Sequence, residues 1–83
     1  MLLYMLRPGK LRVWGVTIHP NRCIVATVTK KEAVAAFKVS ARFLDLYGSE
    51  TFNEIERSVA LNRPGVVFGR PYYETGPYME VVR

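Results

Sequence analysis

His19 and Cys23, four residues apart, are the side chains of this sequence that most readily suggest chemistry. Bridging a turn, such a pair can ligate a metal or set a nucleophile beside a base. A zinc site needs three or four ligands, and the chain contains no other histidine or cysteine. A Cys/His dyad needs a lowered thiol pKa and a third group to orient the ring, and no carboxylate lies nearby in sequence. There is also no glycine loop of the Walker or Rossmann type. These residues predict a protein without an enzymatic site and without a cofactor, whose work is binding.

The cations are the stronger signal. The net charge is +5, and between residues 1 and 38 seven Lys/Arg face a single acid, Glu32. A front half so basic implies an anionic partner, nucleic acid first. The residues expected to hold it are Arg12, Arg22, Lys30, Lys31, Lys38, Ser40 and Arg42. Lys30 and Lys31 open a helix, where the dipole disfavours cations, so helix stability does not explain them. Arg12, Trp14 and Arg22 mix guanidinium with an indole, a combination that grips phosphate and stacks bases. A second set, Trp14, Leu46, Arg70, Tyr72 and Tyr73, has the aromatic and arginine content of protein hot spots. It supports a different partner, a host protein or a nucleotide signal.

Seven elements must position these groups, with turns between them. Leu11–Ile18 alternates as a strand, His19-Pro20-Asn21-Arg22 has turn chemistry, and Cys23–Thr29 is a strand apolar on both faces. Thr29 and Glu32 form a capping box for a helix from Lys30 to Lys38. Ser40 caps a second helix, Ala41–Tyr47, which Gly48 ends. The polar Gly48–Thr51 stretch reads as a turn, and Thr51 and Glu54 as a capping box for a third helix, Phe52–Asn62, with Phe52, Ile55 and Val59 inward. Residues 65–68 read as a short buried strand, 69–77 as a loop, and 78–82 as an edge strand. The expected fold is α+β in the order β-β-α-α-α-β-β, an antiparallel sheet beside a helical cluster. The expected core is Val13, Ile24, Ala26, Val28, Ala33, Phe37, Val39, Leu44, Ile55, Val59, Val67 and Phe68.

Residues 31–44, Lys31-Glu32-Ala33-Val34-Ala35-Ala36-Phe37-Lys38-Val39-Ser40-Ala41-Arg42-Phe43-Leu44, resemble the helix-turn-helix of small prokaryotic and phage regulators. Small residues in the first helix allow close crossing, Val39 plugs the corner, and Ser40 caps the helix that would enter a groove. Lys38 stands where that family usually has glycine, and Val34 where it favours a small residue. A plain helical corner packed on a sheet uses the same residues. More broadly, Arg12-Val13-Trp14-Gly15, Ile24-Val25-Ala26, Lys30-Lys31-Glu32-Ala33 and Pro64-Gly65-Val66-Val67-Phe68 resemble small phage-encoded proteins. That resemblance implies a phage or mobile-element origin, not an activity. Small phage proteins often regulate transcription or disable a host factor, so it supports both a non-catalytic, phage-type regulator that binds nucleic acid and, alternatively, an inhibitor of a host defence factor.

Size bounds the rest. With 83 residues, 49% of them hydrophobic, the chain is long enough for one domain, residues 1–83, with residues 1–10 as an arm, either flexible or an edge strand. A single cysteine cannot form an intrachain disulfide and fits a reducing compartment. Met1–Leu6 is too short for a signal-peptide core, and no run reaches membrane-span length. The expectation is a cytoplasmic protein, in the host cell cytoplasm if phage-encoded, with no membrane partner and with homodimerisation open to it.

Overall fold

A computed structural model describes residues 10–81. The chain is α+β, with β1 at Arg12–Ile18, β2 at Asn21–Thr27, α1 at Lys30–Phe37, α2 at Ala41–Tyr47, β3 at Gly48–Glu50, α3 at Glu54–Asn62, β4 at Phe68–Pro71 and β5 at Met79–Glu80. The sheet is antiparallel throughout, in the order β3-β1-β2-β4-β5.

The β1–β2 hairpin is the centre. Its register pairs Arg12 with Thr27 and Ile18 with Asn21, leaving His19-Pro20, joined by a cis peptide bond, as the turn. The turn is thus tighter than its composition suggests, because Asn21 and Arg22 already belong to β2. Alternation sends the side chains to two faces. Trp14, Val16, Cys23 and Val25 pack with Ala33, Phe37, Leu44 and Val67 on the face covered by α1 and α2. Val13, Ile24 and Ala26 pack with Ala60, Phe68 and Tyr78 on the face covered by α3. A strand apolar on both faces was expected of residues 23–29, and two covered faces are its cause.

The local start signals of α1 and α2 hold. Thr29 Oγ1 accepts from the Glu32 N–H at 3.2 Å, and Glu32 Oε1 accepts from the Thr29 N–H at 3.2 Å. Ser40 Oγ accepts from the Phe43 N–H at 3.0 Å. Four expectations need correction. Gly48-Ser49-Glu50 is strand β3, because it pairs with Trp14-Gly15-Val16 of β1. The third helix begins at Glu54 with Asn53 as its cap, so Thr51 and Glu54 form no capping box. Its buried residues are Glu56 and Ala60, whereas Phe52 and Ile55 are 74% and 63% exposed. Strand β4 starts at Phe68 and runs to Pro71 within the expected loop, since its partner is Asn21–Ile24 of β2. The expected arm at 1–10 lies, apart from Lys10, outside the described residues.

Among the described residues no helix is long and apolar enough to cross a membrane.

Candidate nucleic-acid interface

The corner between α1 and α2 is built by one unusual residue. Lys38 has φ 61 and ψ 43, the left-handed conformation, which costs an ordinary residue about 1 kcal/mol. It lets the Lys38 N–H reach Val34 O at 3.0 Å and the Val39 N–H reach back to the same oxygen at 3.3 Å. That bonding closes α1 and turns the chain sharply. Ser40 then starts α2 two residues later, and Leu44 and Phe37, both fully buried, lock the two helices to the sheet.

This corner displays cations in an ordered way. Lys31 is exposed in the first turn of α1, and Lys38 is exposed at the left-handed cap that ends it. Arg42 is exposed in the first turn of α2. None of these three has an ion-pair partner among the described residues. Lys30 is different, since its Nζ contacts Asp45 Oδ1 of α2. That pair cancels the one acid of α2 at the corner. Ser40 is occupied by its capping bond.

Arg12 lies elsewhere. It lines an open groove of about 540 Å³ with Lys10, Leu11, Glu50, Phe52, Glu54 and Arg57. Arg22 is committed inside the protein. Its Nε and Nη2 donate to Glu56 Oε2 and Oε1 at 2.9 and 3.0 Å. Glu56 also accepts from the Thr51 hydroxyl at 2.7 Å and from the Tyr78 hydroxyl. Burial opposes the Glu56 charge, but the hydrogen bonds from Arg22, Tyr78 and Thr51 outweigh it and hold the carboxyl down to about 2. Burial, then the bond to Glu56, pushes Tyr78 up to about 12. The Glu56 bond raises Arg22 as well. This clamp was missed in the sequence, yet a signal existed. Arg22 alternates with Ile24 and Ala26, so it must point to a covered face and needs a buried acid there.

The second residue set is dispersed. Trp14 is 6% exposed beneath the α1–α2 layer, so its indole offers no surface for stacking, and its Nε1–H has no hydrogen-bond partner among the described residues. Arg70 donates to Gly76 O at 2.8 Å and lies 4.4 Å from the Tyr78 ring centroid. Tyr72 and Tyr73 are exposed and meet edge to face, and Tyr72 also meets His19, their ring centroids 5.8 Å apart. Leu46 is exposed on α2. The structure also parts His19 from Cys23, placing the first on an exposed turn and the second in the core. Among the described residues no cluster of three or more His, Cys, Asp or Glu side chains is arranged to hold a metal. Compared with known families, curated proteins and solved structures, the chain matches none of them.

Proposed function

We propose that this is a non-catalytic regulatory protein that binds nucleic acid through the α1–α2 corner, with Lys31, Lys38 and Arg42 on phosphates. The observation that carries the reading is a set of exposed cations, Lys31, Lys38 and Arg42, without ion-pair partners among the described residues, at a corner whose own acid, Asp45, is paired with Lys30. Phosphate contacts of this kind give affinity and register, with little base reading, because α2 offers Arg42 as its one strong donor. Arg22, Lys30 and Ser40 are engaged by Glu56, Asp45 and the Phe43 N–H, and Arg12 extends the basic area only if the ligand wraps to the groove.

The test is a duplex-DNA titration from low to physiological salt. Three phosphate contacts give a log–log salt slope of roughly −3. Lys31→Glu with Lys38→Glu should flatten that slope and weaken binding at least tenfold at low salt, with circular dichroism unchanged. Absence of binding at low salt removes the proposal.

A second reading rests on the exposed His19–Tyr72–Tyr73 ring chain. It makes the protein an inhibitor that docks on a host protein or holds a nucleotide signal, since rigid exposed aromatics serve as binding anchors. Under it, Tyr72→Ala with Tyr73→Ala abolishes function while the lysine pair is neutral.

A further inference from the structure

Among the described residues, strand β3 is the outer strand of the sheet on the β1 side, and exposed apolar side chains flank it in sequence on both sides. Among the described residues seven large hydrophobic side chains are exposed, and Leu46, Tyr47, Phe52 and Ile55 fall within the ten residues that bracket β3. Scattered single apolar residues need no explanation, but a cluster along a strand edge marks an association site.

The backbone of β3 says what fits there. The Thr51 N–H donates to Val13 O at 2.8 Å, so Thr51 faces β1. In an antiparallel ladder alternate residues face the same neighbour. Ser49 therefore faces β1 as well, opposite Gly15, while Glu50 turns its N–H and C=O outward. Gly48 turns its C=O outward, and its N–H is held by Leu44 O. The open edge thus presents the Gly48 acceptor and the Glu50 donor, two residues apart.

We propose that β3 pairs with β3 of a second copy of this chain, antiparallel about a two-fold axis at Ser49. In that register the Glu50 N–H of each copy donates to the C=O of Gly48 of the partner subunit, one hydrogen bond from each copy. Centring on Glu50 would set two carboxylates directly opposite, which is unfavourable. Centring on Gly48 would need an N–H that α2 already uses. The Ser49 axis also carries the Leu46 end of one copy onto the Phe52 end of the other, so exposed apolar groups on both sides of β3 are covered at once. An isologous contact of this type closes and stops at a dimer. The axis is perpendicular to the sheet, so α1 and α2 of both copies lie on one face of a continuous sheet.

This inference does not depend on nucleic-acid binding, and its test measures mass alone. Sedimentation equilibrium of the full chain should show a species of twice the 9.5 kDa chain mass as concentration rises. Glu50→Pro removes the outward N–H while leaving the β1 pairing intact, and should give a monomer with unchanged circular dichroism. Leu46→Glu, at a residue 61% exposed, should weaken association at least tenfold even if the proline variant fails to fold. Met79→Glu, on the opposite edge, should leave the dimer unchanged. One-chain mass at every concentration, a dimer that survives Leu46→Glu, or a dimer lost with Met79→Glu overturns the proposal.

Discussion

The two faces of the sheet are held by different means. On one, α1 and α2 contribute Phe37, Ala33 and Leu44 to a layer with Trp14, Val16, Cys23 and Val25, and apolar burial does the work. On the other, α3 buries only Glu56 and Ala60. There the helix is fastened by a carboxylate that takes hydrogen bonds from Arg22, Thr51 and Tyr78. The first attachment is non-directional and tolerant of pH, while the second is directional and charged. Gly15 belongs to the second, because a Cβ there would lie 2.4 Å from Arg22 Nη2. The difference teaches that a helix without a continuous apolar stripe can still dock if its one buried acid is fully satisfied.

Substitutions can break this contrast or sharpen it. The largest effect belongs to the apolar face, where Phe37→Ala should cost about 3–5 kcal/mol through lost contacts and a cavity. Urea denaturation should show this loss as nearly constant with pH. Glu56→Gln should cost about 3 kcal/mol at neutral pH, since it removes the charge that four donors from three residues surround. Its pH dependence has a definite sign. The folded Glu56 carboxyl sits at about 2 against an ordinary 4.5, so its stabilisation is full above 4.5 and is lost as pH falls from there through about 2. The gap between parent and Glu56→Gln should therefore close across that window, while the Phe37→Ala gap stays open. A gap that does not close would mean that Glu56 acts by packing alone.

Gly15→Ala comes next, at about 1–2 kcal/mol, because the new methyl must displace the Arg22 guanidinium. It should also move the acid transition to higher pH as the pair loosens, which an unfolding titration can follow. Trp14→Phe should change stability least, by under about 1 kcal/mol. It gives up ring area but removes a buried N–H with no partner among the described residues, and the two effects oppose. Thermal unfolding at neutral pH measures it.

What the sequence made legible follows from range. The β1–β2 hairpin, the Thr29 and Ser40 caps and the bounds of α2 depend on residues close together, and all could be read. Gly48-Ser49-Glu50 carries no strand pattern of its own, so its pairing is imposed by β1. Val66 and Val67 drew the β4 assignment too early, while the register with β2 favours Phe68–Pro71. The inward face of α3 was misread because apolar periodicity cannot see a buried carboxylate. For the candidate interface, sequence named a set of cations but could not tell which of them have partners. Arg22 and Lys30 are paired with acids 34 and 15 residues away, whereas Lys31, Lys38 and Arg42 have no ion-pair partner among the described residues.

The clamp around Glu56 also sets an order of events during synthesis. Its members come from β2, the segment after β3, α3 and the approach to β5, so Tyr78 is made last. A chain growing from its N-terminus has the whole hairpin, α1 and α2 in hand by residue 47, and domains begin to fold as they emerge. From its own synthesis until that of Tyr78, 22 residues later, Glu56 has at best Arg22 and Thr51 for company. The apolar half is therefore the platform on which the nascent chain waits, and the polar half is sealed only when the last tyrosine arrives.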